Sequence, residues 1–214
     1  MAVYDLEEQE QLSALKAWWE KNGTFLTGVT VVLALAVVGW QGWNWHKREQ
    51  AAEASSLFYA LQVTAEQQDP QKSRELAGRL ISDYGGTTYA QFAALISANV
   101  QFKHKEFDNA KVQLEWAADK GRDPDLKNLA RLRLATVLFA QENFDQALAR
   151  LEPIPTGHHA FRFNDLRGDI LVAQGKTAEA RSSYQNAINA LTGADTQAGM
   201  LREIVLMKMD ALGS

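Results

Sequence analysis

The chain has 214 residues, no cysteine and a formal net charge of −4. Without cysteine there are no disulfides, thiolate metal sites or cysteine nucleophiles. Without a basic stripe there is no electrostatic footprint for nucleic acid. The length allows one domain of about 150 residues beside a shorter segment, and the charge is lopsided. Residues 1–23 hold two lysines against Asp5, Glu7, Glu8, Glu10 and Glu20, a net −3 that leaves −1 for the remainder; such a tail is repelled by anionic lipid.

Within the tail, Leu6, Leu12, Leu15, Trp18 and Trp19 fall near one face of a short helix that Asn22-Gly23 is placed to terminate. That helix either leads into the next segment or lies at an interface or against a partner. No charged residue then occurs between Lys21 and Lys47, and Phe25 to Val38 is almost wholly aliphatic. Trp18 and Trp19 precede the run, and Trp40, Trp43 and Trp45 close it. Indole rings favour the headgroup zone, where an apolar body and a polar N–H are both satisfied. Trp19 to Trp40 spans ~31 Å as a helix, the thickness of a bilayer's hydrocarbon core. The pattern predicts a transmembrane helix over 24–46 anchored by these five tryptophans in a lipid bilayer. Bulky residues stand where a signal-peptide cleavage site needs small ones, so the segment is expected to stay as an anchor. Lys16 and Lys21 before the span balance Lys47 and Arg48 after it, and charge alone leaves the orientation open.

From Thr24 there is no proline until Pro70, and residues 47–66 are rich in Ala, Glu, Gln and Leu. One continuous helix from about Thr24 to about Gln68 is the expectation. Asp69-Pro70 and Asp123-Pro124 each pair an N-cap with proline at the first helical position. Gly85-Gly86, Gly121 and Gly193 follow apolar periodic stretches where C-terminal glycine caps belong.

The segment from 47 to 214 repeats itself. Phe102–Ala117, Phe139–Ile154 and Val172–Ala187 align so that Ala110, Ala147 and Ala180 coincide, as do Leu114, Leu151 and Tyr184. Twelve residues before each alanine stand Ala98, Ala135 and Gly168. The period, 37 and then 33 residues, is that of helix–turn–helix repeats. Small residues on both helices let the pair approach closely, and the large residue four places later fills the remaining gap.

These units resemble degenerate tetratricopeptide repeats at 91–124, 128–161 and 161–194, with 56–84 as a divergent first unit. The layout of the whole chain is similar to ancillary SecYEG translocon subunits of the YfgM type: an acidic tail, LKAWWEKNG before the span, GWQGWNWHKREQA after it, and the FNDLRGDILVAQGKTAEARSSY unit. The resemblance implies an all-α fold, one N-terminal transmembrane helix followed by an α-solenoid. It also implies a bacterial inner-membrane location, with residues 1–23 cytoplasmic and 47–214 periplasmic. The implied partners are the SecYEG translocon, a PpiD-type periplasmic chaperone and translocating client proteins. Helical-repeat scaffolds also serve cell-division and wall-synthesis complexes, which is the alternative reading.

Motifs for chemistry are lacking. Gly175-Lys176-Thr177 mimics the end of a phosphate-binding loop, but Ile170 stands where its first glycine is required. His158-His159 reads as a solvated loop pair without further ligands. There is no G-x-S-x-G, H-E-x-x-H or dinucleotide fingerprint; the chain reads as a non-enzyme with no cofactor and no metal. In tetratricopeptide stacks the first helix of each repeat lines a groove. By the alignment its positions here include Phe92, Leu95, Asn99, Phe102 and Lys103, then Leu132, Thr136 and Phe139, then Arg162, Asp165, Asp169 and Val172. Chaperone-binding members clamp a terminal carboxylate with Lys and Asn; only Asn99 fits that scheme, and Asp165 and Asp169 oppose it. Phe102 and Phe139 either face a partner or pack between repeats. The last helix, over 196–212, spreads Met200, Leu201, Ile204, Val205, Met207, Met209 and Leu212 around more than a typical apolar stripe. Either part of it, with Met207, Met209 and Leu212 as candidates, contacts a partner, or the preceding repeats bury both sides.

Overall fold

The computed structural model describes residues 3–191 and 196–213, so the expected cap at Gly193 lies outside the described residues. Every regular element among them is a helix, and the chain divides into two compact units, residues 1–50 and 51–214. Helix α1 (Val3–Glu66) runs through the predicted membrane exit without a break. It also continues through Asn22-Gly23, where a stop was expected. Asn22 donates its side-chain amide to the Trp18 carbonyl at 3.0 Å, and Gly23 lies beneath the Trp19 indole. A glycine ends a helix only where the chain beyond has somewhere better to go, and the uncharged segment that follows has its own reason to stay helical.

In the first unit, α1 contains a stretch long and apolar enough to cross a membrane, almost none of it buried in the protein. Two of its hydroxyls are satisfied within the helix. Thr27 and Thr30 each donate their hydroxyl to the carbonyl one turn back, both at 2.8 Å, so neither presents a bare donor to hydrocarbon. Trp18, Trp19, Trp40, Trp43 and Trp45 are all more than half exposed, and the Lys47 ammonium lies 5.3 Å from the centre of the Trp43 ring.

The second unit is a stack of helical hairpins. The end of α1 packs with α2 (Pro70–Tyr84) and α3 (Thr88–Lys103) around Ala54, Leu61, Ala77, Leu80, Ala90 and Ala93. Three further hairpins are α3 with α4 (Phe107–Asp119), α5 (Pro124–Ala140) with α6 (Phe144–Leu151), and α7 (Ala160–Ala173) with α8 (Thr177–Ala190). Helix α9 (Thr196–Asp210) closes the stack against α8. The two Asp-Pro starts behave as the sequence predicts. Asp69 accepts from the Lys72 N–H, and Asp123 accepts from those of Asp125 and Leu126.

The four turns within the hairpins are closed alike. Gln68, Lys105, Glu142 and Gly175 adopt positive φ between 55° and 76°, and the N–H of each donates to a carbonyl three residues back. The next N–H in each turn reaches the carbonyl five residues back, the pairing that satisfies the last carbonyls of a helix. Three of the four turns place a non-glycine residue in that conformation, so composition gives no sign of the motif.

Ala110, Ala135, Ala147 and Ala180 are wholly buried, and Ala98 nearly so. Leu114, Leu151 and Tyr184 beside them are at most 2 % exposed. The last hairpin solves the contact with different volumes. A Cβ on Gly168 would come within 2.3 Å of the Tyr184 ring, so the glycine is required by the tyrosine. Gly121 is likewise retained for space, with no left-handed φ. A Cβ there would meet the Gln91 side chain at 2.1 Å. That glutamine is 1 % exposed and fastens the α4–α5 connection, accepting from the N–H groups of Arg122 and Asp123 and donating to the carbonyls of Ala117 and Asp123. Gly85 follows α2 in a right-handed conformation, so it is not a left-handed cap either.

Gly168→Ala should lower the stability of the repeat unit by ~1–3 kcal/mol, because the methyl group overpacks against an aromatic ring. Adding Tyr184→Leu, which recreates the Ala–Leu pairing of the two preceding hairpins, should recover part of the loss. Thermal melts followed by circular dichroism check this; a double variant no more stable than Gly168→Ala would refute the size-matching account.

Candidate functional site

The first helices of successive hairpins, α3, α5 and α7, lie side by side and expose a common inner face. Asn99 and Lys103 are exposed, Thr136 is half-buried, and Phe92 and Val172 are about two-fifths exposed. Leu95, expected on this face, is instead in the core. Phe102 and Phe139 take one role: each packs its ring on the first residue of its partner helix, Phe107 at 5.4 Å and Phe144 at 5.9 Å between centroids. The packing is within a hairpin and leaves both rings partly accessible.

Between α3 and α5 the face opens into a cavity of about 160 Å³ lined by Ala98, Asn99, Phe102, Leu114, Arg133, Thr136 and Val137. Asn99, Phe102 and Thr136 are thus brought together, while Lys103 and Phe139 lie outside its lining. Arg133 was not singled out by the sequence alignment. Its place one residue after a groove position reads as a side-facing residue, and only the packing of α5 on α3 turns it inward. It donates to the Leu95 carbonyl at 3.1 Å, and burial works against its charge.

At the far end the two aspartates are not free to meet a ligand. Lys208, from α9, sets its ammonium 2.7 Å from Asp165 and 2.8 Å from Asp169. Tyr184 donates its hydroxyl to Asp169 at 2.7 Å. Burial pushes the Asp165 carboxyl up, against the pull of Lys208. Burial also opposes the charge on Lys208, but the two carboxylate hydrogen bonds prevail and hold it above the ordinary lysine value. The end of the groove that sequence marks as acidic is therefore closed by a cation from 40 residues downstream, a partner that repeat alignment does not reveal.

On α9 the structure separates the apolar residues. Val205 is fully buried, and Leu201, Met209 and Leu212 pack on the core formed by Phe161, Leu171, Ala180, Tyr184 and Ala187. Met200, Ile204 and Met207 are 46–61 % exposed, and Leu206 is borderline. Of the three candidates at this end, Met207 faces outward, while Met209 and Leu212 lie on the packed side because they continue the Val205 stripe.

The histidine pair is less solvated than expected. His158 is exposed, but the His159 side chain is only 13 % accessible. Asp125, from the first turn of α5, joins them, with its carboxylate 3.4 Å from His159 Nε2 and 4.0 Å from His158 Nε2. These three are the described residues with the chemistry to share a metal ion, and they supply three ligand atoms, short of the four of a closed structural site.

A family described as tetratricopeptide repeat-like domain matches residues 16–214. Three relatives are each named ancillary SecYEG translocon subunit. That of Haemophilus influenzae is 30 % identical over 86 % of this chain and 90 % of its own. That of Aggregatibacter actinomycetemcomitans is 33 % identical over the same shares, and that of Escherichia coli is 31 % identical over 99 % of both. The chain belongs to the family of ancillary SecYEG translocon subunits. No solved structure matches it.

Lys208→Met should destabilise this family member's repeat unit by ~1–3 kcal/mol at neutral pH by leaving two partly buried carboxylates without their counter-charge. Asp165, pushed up by burial and relieved of the opposing pull of Lys208, then titrates further above its unfolded value, so part of the lost stability returns as pH falls and a proton neutralises it. Wild type, in which Lys208 restrains the rise of Asp165, should gain less between pH 7 and 5. Melting temperatures of both proteins across that range check the sign.

Proposed function

We propose that the chain is a single-pass protein of the bacterial inner membrane that works by binding other proteins rather than by chemistry. In this reading residues 1–23 are cytoplasmic, α1 crosses the bilayer, and the hairpin stack stands in the periplasm. There it associates with the SecYEG translocon and a membrane-anchored PpiD-type chaperone, and assists proteins emerging across the membrane. The carrying observation is that an apolar helix almost none of which is buried, girdled by tryptophans, precedes, in one chain, a tetratricopeptide-like stack whose relatives are named for the translocon. An exposed apolar stretch of this length is stable only when lipid replaces water around it, and a helical-repeat face is suited to extended polypeptide partners.

Two measurements test the reading. Purification in mild detergent should recover translocon subunits, and a reporter joined after Ser214 should be active outside the cytoplasm. Recovery of division or wall-synthesis proteins in place of translocon subunits would overturn the partner assignment, and a reporter active only in the cytoplasm would overturn the topology.

The outward residues of α9 are the second contact surface in this proposal. Changing Met200, Ile204 and Met207 together to Ser, Thr and Gln should weaken co-purification while the melting temperature moves by only a few degrees, because these side chains bury little. Met209→Ala, on the packed side, should lower the melting temperature visibly. Undiminished co-purification of the triple variant would remove α9 from the binding surface.

A further inference from the structure

The ligand atoms of Asp125, His158 and His159 lie within 4.8 Å of one another. Neighbouring side chains usually diverge. Here a tight turn over Gly157–His159, entered through Gly157 at φ 74°, leaves the two imidazole centroids 3.9 Å apart. The turn is itself delivered to α5. Arg131 donates to the carbonyls of Arg150 and Pro153 at 3.2 and 2.7 Å, which fixes the connection leading from α6 to the histidines. Asp125 lies in the first turn of the same α5, so two hairpins contribute to the cluster. Nε2 of His159 is buried and makes no hydrogen bond among the described residues, although the Asp125 carboxylate is 3.4 Å away. A buried nitrogen without a partner costs stability and calls for one.

We propose that His158, His159 and Asp125 bind one divalent late transition-metal ion, of which zinc is the representative, with a fourth position left to water. The ion clasps the α6–α7 connection to the start of α5, across the junction of two hairpins. The assignment holds whichever partners the stack binds.

Donor type sets the class of metal. Two imidazole nitrogens and one carboxylate oxygen suit zinc, nickel or copper, whereas magnesium and calcium prefer oxygen shells. The distances fit as well. Ligands ~2.0–2.2 Å from one ion stand roughly 3.3–3.6 Å apart at the corners of a tetrahedron. His159 and Asp125, at 3.4 Å, already have that separation. The His158 nitrogen is 4.0 Å from the carboxylate and its side chain is 73 % accessible, so the remaining closure is a swing of an exposed ring. Charge is less favourable. The ligands stand at the N-termini of α5 and α7, whose partial positive charge opposes a cation, and Asp125 brings one negative charge against two. That balance describes an exchangeable ion at an open site, not a permanent structural one. The competing account is an imidazolium–carboxylate ion pair, which needs a proton and no metal. Such a pair uses one histidine and gains nothing from a second ring 3.9 Å away, which repels it when both are charged.

The test uses the full-length protein in detergent, purified without a histidine tag, with metal chlorides as the added ligands. Calorimetric titration with Zn2+ should show one saturable site per chain, and Mg2+ at the same concentrations none. His158→Gln, His159→Gln and Asp125→Asn should each weaken Zn2+ binding about tenfold or more. His158 and Asp125 are exposed, so those two variants should melt as metal-free wild type does, which keeps the comparison free of misfolding. Co2+ in place of Zn2+ should give the visible absorption of a four- or five-coordinate site, and Asp125→Asn should abolish it. Saturating Zn2+ should raise the wild-type melting temperature by about 3 °C or more, because the three ligands meet only in the folded chain. No saturable Zn2+ binding, equal affinity for Mg2+, or an affinity unchanged in His158→Gln and Asp125→Asn would each overturn the assignment. Binding lost in the histidine variants but kept in Asp125→Asn overturns it too, since a histidine pair alone does not reach α5.

Discussion

The repeat unit depends on one steric constraint, the close approach of the two helices in each hairpin at a pair of small residues. Ala98 with Ala110, Ala135 with Ala147 and Gly168 with Ala180 all meet at or near zero exposure, and one larger side chain per hairpin seals the space beside them. Interiors are packed to the density of organic crystals, so the small and large members must be matched in volume. The third hairpin shows the matching most clearly, because its tyrosine is possible only where its small residue has lost even the methyl group. That exchange also introduces a phenol, which reaches Asp169 and so joins the network that holds α9 by Lys208. A packing choice inside the last hairpin thereby supplies the attachment for the helix that caps the stack.

Polar side chains settle how one hairpin sits on the next. Helix α3 carries two buried glutamines that reach in opposite directions along the stack. Gln101 donates to the Pro70 carbonyl at 2.7 Å, tying α3 to the start of α2, and Gln91 clasps the connection that leads into α5. Loop backbone buried at a repeat junction has donors and acceptors that no helix satisfies, and Gln91, with a carbonyl and an amide on one side chain, serves both kinds at once. Hydrophobic contact alone tolerates sliding between helices. These directional bonds fix the register of neighbouring hairpins, and with it the alignment of α3 and α5 that brings Asn99, Thr136 and Arg133 around one cavity.

What could be read from sequence follows the range of the interactions involved. The Asp69-Pro70 and Asp123-Pro124 starts, the continuous α1 and the small–large periodicity are local or repeated features, and each was legible residue by residue. The stop expected at Asn22-Gly23 was not found, because a local cap signal yields to an uncharged segment with a strong reason to be helical. Gly85 and Gly121 were correctly placed after helices but for a different reason: Gly121 makes room for Gln91, a contact across 30 residues. At the candidate site the limits are similar. Asn99, Phe102 and Thr136 were located by repeat register, whereas Arg133 falls one position outside that register and is turned inward by packing. The pairing of Asp165 and Asp169 with Lys208 was invisible because α9 is not a repeat, and no periodicity relates it to α7.

The placement of charge on the inner face has a consequence for what can bind there. Two aspartates on α7 are met by a lysine within the domain, while Lys103 and Arg133 on the same face make no ion pair among the described residues. Had Lys208 been absent, the two carboxylates at the α7 end would have carried an uncompensated negative field into the groove. The capping helix therefore has two roles that cannot be separated. It covers the end of the core with Val205, Met209 and Leu212, and it removes the negative field from the groove with Lys208. A surface read as acidic from its own helices is neutralised at that end by a side chain from outside the repeats.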